Sequence, residues 1–190
     1  MHGVQSRKYL MNIPLRKLGK SDLQISALGL GCWQFSKQNG LVGKYWPILT
    51  NEDTNEIVKA SIDGGINWFD TAEIYGNGKS EQGLSNALKK IGLRSGETII
   101  ATKWWPIGRT ASSIKRTIYN RLDNLDGYPI TLHQVHNPFG FSSVEKEMNA
   151  MRIDLWTKDM TVDEMKKFFH QTLLTMADTF ERATGEKNIT

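Results

Sequence analysis

Three apolar stretches of this chain each lead into a different ionisable residue, and these residues, Asp70, Lys103 and His136, lie 33 positions apart. An interval of this length accommodates one strand and one helix, so the spacing predicts a repeated βα unit. Parallel strands joined by helices place their carboxyl ends on the same face of the sheet. The three side chains are therefore predicted to meet in one cleft, at the end where such folds place their chemistry.

Four βα units can be traced along the chain. The first predicted strand covers residues 27–33; a hairpin signal, Gly19-Lys20-Ser21-Asp22, precedes it and a polar loop over residues 34–48 follows it. The first predicted helix begins after Thr50, and the second covers residues 80–91. The third presents an apolar stripe of Ile114, Ile118, Leu122 and Leu125. The fourth begins at a capping box of Ser142 and Glu145. This alternation predicts a parallel α/β architecture.

The pattern changes after residue 151. Ile153 and Leu155 form a short alternating stretch, which predicts an added strand. A capping box of Thr161 and Glu164 then begins a long amphipathic helix. Its apolar stripe consists of Val162, Met165, Phe169, Leu173, Met176, Phe180 and Ala183. The sequence thus divides into an N-terminal extension (1–14), an α/β region (15–151) and a helical tail (152–190).

Composition favours a globular protein, since 39% of the 190 residues are hydrophobic and 23% are charged. No apolar run is long enough to cross a bilayer, and the first ten residues contain no signal-like apolar stretch. We therefore expect a cytoplasmic protein without membrane contact. Cys32 is the only cysteine, which excludes an intrachain disulfide and agrees with a reducing compartment.

The charge pattern argues against a nucleic-acid partner. The net charge is +4, and the basic pairs Lys89-Lys90 and Lys115-Arg116 lie on predicted helices without interleaved aromatic residues. We interpret them as solvated helix faces. His133 and His170 lack neighbours at metal-ligand spacing, so no metal site is expected.

A tyrosine joins the three strand-end residues. Tyr75 lies five positions after Asp70, on the loop that leaves the strand, where its hydroxyl can turn back over the cleft. An isolated phenol has a pKa of about 10, and a nearby ammonium such as Lys103 is expected to lower it. Asp70 would fix the lysine, and the His136 imidazole could donate to a carbonyl oxygen. This set suits protonation of an alkoxide that forms as hydride reaches a carbonyl carbon, which requires a nicotinamide.

Four short motifs resemble the aldo-keto reductase family in order and spacing. They read FDTAEIYG at residues 69–76, GKSE at 78–81, ATK at 101–103 and QVHNP at 134–138. The resemblance covers about residues 15–151. It implies a (β/α)8 barrel with an N-terminal hairpin, of which this chain carries the first four units, and NADPH-dependent reduction of a small-molecule aldehyde or ketone.

The resemblance also implies roles for individual residues. Tyr75 would be the general acid, Lys103 would lower its pKa, Asp70 would pair with Lys103, and His136 would orient the substrate carbonyl. The positions near the nicotinamide would be Gly31, Cys32, Trp33 and Asp70. The walls of the substrate pocket would be Trp33, Trp104 and Trp105.

The sequence departs from this family after the fourth unit. A complete barrel of this kind takes typically ~250 residues, so we expect a truncated barrel with impaired activity, which lacks the family's second-half cofactor contacts. Residues 152–190 instead resemble a bacterial gliding-motility accessory protein. The alternative is a non-catalytic α/β scaffold or interaction protein, a fusion whose C-terminal helix docks a partner or whose open strand edges self-associate.

Overall fold

The computed structural model describes residues 14–137 and 139–151. The predicted strand at Ile153 and Leu155, the predicted tail helix and nearly all of the N-terminal extension lie outside these residues. Within them, no helix is both long and apolar enough to span a membrane.

The elements follow the predicted order. An antiparallel hairpin, β1 with β2, precedes four parallel strands that alternate with helices. The bounds are β1 Arg16–Lys17, β2 Gln24–Ile25, β3 Leu30–Gly31, a 3-10 helix at Trp33–Ser36, α1 Gly40–Gly43, α2 Asn51–Asp63, β4 Trp68–Asp70, α3 Lys79–Lys90, β5 Ile99–Trp104, α4 Ser112–Leu125, β6 Leu132–Val135 and α5 Val144–Met151. The predicted α/β class, with a hairpin and four βα units, is confirmed for the described residues.

The register of the sheet brings the strand ends together. The strands lie in the order β3-β4-β5-β6, all parallel. Gly31 is opposite Asp70, and Lys103 is opposite Gln134, two residues before His136. The three residues spaced 33 apart therefore lie at neighbouring positions along one edge of the sheet.

A local signal explains the start of α2. Thr50 and Asp53 form a capping box at the start of α2, where each side chain binds the other residue's main-chain N–H. At α5 the prediction was wrong by one residue, because the Ser143 hydroxyl accepts from Lys146 N–H while the Ser142 hydroxyl accepts from Ala111 N–H. The loop predicted over residues 34–48 contains two short helical turns.

The core lies between the sheet and the helices. Phe69 and Ile100 are fully buried among apolar residues of the helices. A second apolar cluster forms where α4 and α5 cover the last two strands; its buried members are Trp104, Ala111, Ile114, Met148, Ala150 and Met151. These contacts hold the strands in place and thereby fix the strand-end side chains.

Candidate functional site

An ion pair joins the ends of β4 and β5. Lys103 Nζ donates to Asp70 Oδ2 at 2.6 Å and to the Thr71 main-chain oxygen at 2.9 Å. Both side chains are largely buried, with 14% of Lys103 and 29% of Asp70 exposed. Burial together with two acceptors fixes the ammonium in one position at the edge of the sheet.

Tyr75 is turned over this pair by a close approach of two loops. Gly76 has φ +67°, and a Cβ there would lie 2.3 Å from the Ser36 main-chain oxygen, so the chain passes where only glycine fits. Asn39 Nδ2 donates to the Gly76 oxygen at 2.8 Å and ties the same loops. As a result, Lys103 Nζ lies 5.1 Å from the centroid of the Tyr75 ring.

His136 completes the cluster. Its ring is nearly perpendicular to the Tyr75 ring, with the two centroids 5.4 Å apart. The main-chain N–H of His136 donates to the Trp104 main-chain oxygen. The structure thus brings Asp70, Tyr75, Lys103 and His136 together at one edge of the sheet.

The electrostatics of Tyr75 differ from the expectation. Burial, followed by the charge of Asp70, raises the pKa of Tyr75 to about 12, although the sequence predicted that Lys103 would lower it. The physical reason is that Lys103 is paired with Asp70, so its positive charge is largely balanced and stabilises the phenolate little. Burial also removes solvent from the phenol, which favours its protonated form. The Tyr75 phenol is therefore protonated at neutral pH.

His136 is neutral under the same conditions. Burial, and then the charge of Lys103, lowers the pKa of His136 to about 4, while Asp70 acts in the opposite sense. A neutral imidazole carries one N–H donor and one acceptor nitrogen. The buried Nδ1 atom has no hydrogen-bond partner among the described residues.

Aromatic rings enclose the cluster. Trp33 stacks on Tyr75 with centroids 5.6 Å apart and an interplanar angle of 17°. The Trp33 ring centroid also lies 5.8 Å from that of Tyr45 and 5.6 Å from that of Trp46. Trp105 lies edge-on to His136 at 5.2 Å. Tyr45 and Trp46 were not predicted from the sequence, because they lie in a segment whose composition indicates a polar loop.

Trp104 does not lie in the cleft. Its side chain is 1% exposed, packs against α4 and α5, and donates from Nε1 to Ser113 Oγ at 3.0 Å. Side chains alternate along a strand, so Lys103 and Trp104 face opposite sides of the sheet. The predicted place of Trp104 in a substrate pocket is therefore wrong.

The remaining candidate positions differ from one another. Cys32 is fully buried in the apolar core, and burial raises the pKa of its thiol well above the usual range. Its side chain therefore packs in the core, and the cofactor contact expected at Cys32 stays a prediction. Gly31 is exposed, and a Cβ there would meet nothing within 4 Å. The open space at Gly31 allows a planar group to approach the main chain next to Asp70 and Trp33.

Comparison with known proteins gives two separate likenesses. A model described as gliding motility-associated protein GldC-like matches residues 143–190, a range that includes α5. Over 92 residues, the chain is 41% identical to a protein of Schizosaccharomyces pombe named as a voltage-gated potassium channel subunit beta. That alignment covers 48% of this chain and 24% of the relative.

Solved structures add the fold. A thermostable aldo-keto reductase in complex with the inhibitor epalrestat matches with TM-score 0.62 and 29% identity over 73% of this chain and 48% of its own. An aldo-keto reductase from Klebsiella pneumoniae in complex with NADPH matches with TM-score 0.58 and 20% identity over 75% of this chain and 45% of its own.

The chain therefore spans less than half the length of each of these proteins. Its four parallel strands and their helices match part of the barrel of the aldo-keto reductase structures. The α/β region of this chain thus resembles the aldo-keto reductases, and the segment from residue 143 onward resembles the GldC-like proteins.

Proposed function

We propose that the α/β region is an oxidoreductase that reduces the carbonyl group of a small aldehyde or ketone with NADPH. The observation that carries this proposal is the convergence of Asp70, Tyr75, Lys103 and His136 at one edge of the sheet. The likeness to aldo-keto reductases, one of them in complex with NADPH, supports the same reaction class.

Tyr75 would act as the general acid. Its raised pKa keeps the proton on the phenol until the substrate oxygen becomes an alkoxide, which is a much stronger base than a phenolate. The Lys103 ammonium, 5.1 Å from the ring centroid, then stabilises the phenolate. Asp70 holds the ammonium in place.

His136 would orient the substrate. With a pKa of about 4 it is neutral, so its N–H can donate to the carbonyl oxygen without competing as an acid. Trp33 and Trp105 cover the cluster on two sides and exclude water from the reacting atoms.

The residues at the cleft also fit a nicotinamide. When bound, NADPH supplies the hydride, which no side chain can provide. Gly31, Trp33 and Asp70 would hold it, since Gly31 leaves space beside the main chain. Cys32 would contribute through its main chain alone, because its thiol is buried. We also propose the predicted division of the chain into residues 1–14, 15–151 and 152–190. A cytoplasmic location is proposed as well, because the free Cys32 thiol agrees with a reducing compartment.

The test compares the full chain with its Tyr75→Phe variant. NADPH binding is measured by quenching of tryptophan fluorescence, and turnover by loss of NADPH absorbance with para-nitrobenzaldehyde as substrate. We expect unchanged binding and a turnover roughly 10²–10⁴-fold lower in the variant, which is the usual contribution of a general acid. Full turnover by Tyr75→Phe, or no NADPH binding by the wild-type chain, would contradict the proposal.

A second candidate is a non-catalytic interaction protein. Among the described residues, β6 pairs with β5 alone, and Phe139, Phe141 and Val144, which follow β6 in the chain, are exposed. Such an edge with apolar neighbours favours self-association. Light scattering over a range of protein concentrations tests this: association without NADPH binding favours the interaction protein, and a monomer at all concentrations opposes it. The predicted docking helix lies outside the described residues.

A further inference from the structure

A buried cluster of charges lies behind the proposed active site, between the sheet and the helices. It consists of Glu73, Glu81, Arg109 and Arg121. Glu73 pairs with both arginines, and Arg121 Nε also donates to Glu81 Oε2 at 2.8 Å. Glu73, Glu81 and Arg121 are each less than 10% exposed. Buried ions of this kind persist only where each finds a partner, and here two acids meet two guanidinium groups.

Glu73 differs from Glu81 in what else it binds. The Glu81 carboxylate accepts from the side chains of Thr102 and Asn124, which joins a strand to two helices. The Glu73 carboxylate instead accepts from the main-chain N–H of Trp105 at 2.5 Å. The N–H of Glu73 itself donates to the Lys103 oxygen at 3.2 Å. Glu73 therefore holds the end of β5 at two points.

These two bonds couple the parts of the site. Glu73 lies two residues before Tyr75, so it fixes the start of the loop that carries the phenol. Trp105 follows the last residue of β5 and precedes Pro106, which has no N–H to hold this segment. The Trp105 ring covers one side of His136, and His136 contacts Tyr75.

We propose that Glu73 is a positioning residue, whose carboxylate holds the Trp105 main chain against the Tyr75 loop and thereby keeps the His136 imidazole enclosed. Its importance for catalysis rests on the proposed reductase function. Its effect on His136 does not require turnover and can be measured in the full chain without cofactor.

The test replaces Glu73 by two residues of similar length. Glu73→Gln keeps an oxygen acceptor for Trp105 N–H, whereas Glu73→Met removes the acceptor. The protonation of His136 is followed by the pH dependence of its ring C–H signals in NMR spectra, assigned with His136→Gln. Trp105→Ala serves as a reference for an uncovered imidazole, and Asp63→Asn, on the exposed end of α2, is the matched acid-to-amide control.

The sign of the change separates a positioning effect from a charge effect. Burial depresses the pKa of His136, so loss of the Trp105 cover raises it toward 6.5. Removing the negative charge of Glu73 while Arg109 and Arg121 remain would lower the pKa instead. The charges that face His136 directly, Lys103 and Asp70, are the same in every Glu73 variant.

We expect Glu73→Met to raise the pKa of His136 by about one unit or more, as Trp105→Ala does, because burial is its main depressing cause. Glu73→Gln should show no rise, because it keeps the acceptor and loses only the charge, and Asp63→Asn should stay close to the wild-type value. An unchanged or lower pKa in folded Glu73→Met, or an equal rise in Glu73→Gln, overturns the proposal.

If Glu73→Met does not fold, the pKa of His136 is measured in Glu73→Asp instead. Its shorter side chain keeps the charge for Arg121 but withdraws the acceptor from Trp105, so the same rise is expected, and no rise overturns the proposal. Failure of the reductase function is seen separately, as a wild-type chain that does not oxidise NADPH.

Discussion

The Lys103 ammonium contacts the Asp70 carboxylate at 2.6 Å and lies 5.1 Å from the centroid of the Tyr75 ring. The phenol therefore meets a lysine whose charge is largely balanced by its own partner. This explains why burial and Asp70, rather than Lys103, determine the direction of the Tyr75 pKa shift.

Removal of the Asp70 charge should make the phenol more acidic. In Asp70→Asn, Lys103 loses its compensating charge and Tyr75 loses a negative neighbour, so we expect the pKa of Tyr75 to fall by about one unit or more. The difference in tyrosinate absorbance between Asp70→Asn and Asp70→Asn/Tyr75→Phe during a pH titration measures it. Asp63→Asn should leave the Tyr75 titration unchanged, and the same pKa in Asp70→Asn as in the wild type would contradict this account.

Two half-buried histidines should make the folded state sensitive to acid. Burial lowers the pKa of both His133 and His136 to about 4, against 6.5 in the unfolded chain. Between these values the unfolded state binds more protons, so each histidine makes stability fall as the pH falls from about 6.5 to about 4. Burial raises the pKa of Glu81 and of Glu147, so these carboxyl groups act in the opposite sense.

Urea denaturation of the wild type and of His136→Gln at several pH values isolates one contribution. We expect the variant to lose less stability than the wild type on acidification over this range. An equal loss in both proteins would mean that His136 titrates alike in the folded and unfolded states.

Gly76 and Gly92 form a matched pair for testing the close approach of the two loops. Both have positive φ, at +67° and +77°, but a Cβ at Gly92 would meet nothing within 4 Å, whereas one at Gly76 would overlap the Ser36 main chain. Gly92→Ala should cost about 1 kcal/mol of backbone strain. Gly76→Ala should cost clearly more in urea denaturation and should also change the Tyr75 titration. Equal costs for the two substitutions would show that the loops can separate freely.

Neighbouring tryptophans at the end of β5 should behave differently. Trp104→Ala removes a buried ring and should cost about 3–5 kcal/mol of unfolding free energy. Trp105→Ala removes a half-buried ring beside His136 and should cost less, while raising the pKa of His136. Denaturation curves and the His136 NMR titration of both variants test the pair; similar costs and similar titrations would contradict their placement on opposite faces.

The sequence predicted those features that depend on local chemistry and regular spacing. The 33-residue interval between Asp70 and Lys103 requires one strand and one helix, and β4, α3 and β5 have that order. Thr50 caps α2 as predicted, through a hydroxyl that accepts from the main-chain N–H of Asp53 three residues later.

Features that depend on tertiary contacts were predicted less well. Ser142 and Ser143 are equivalent as helix caps until Ala111 binds the hydroxyl of the first. The burial that raises the Tyr75 pKa comes from packing between separate loops. Trp104 is different, because strand alternation from Lys103 already indicates that the two side chains face opposite ways.

The four side chains of the proposed site all come from one uninterrupted stretch of chain, from Asp70 to His136, at or after the ends of three adjacent strands. A recombination event that keeps this stretch of coding sequence intact transfers all four together, whatever follows downstream. The stretch also ends before residue 143, where the match to the GldC-like model begins, so the two likenesses do not overlap at the residues of the cluster.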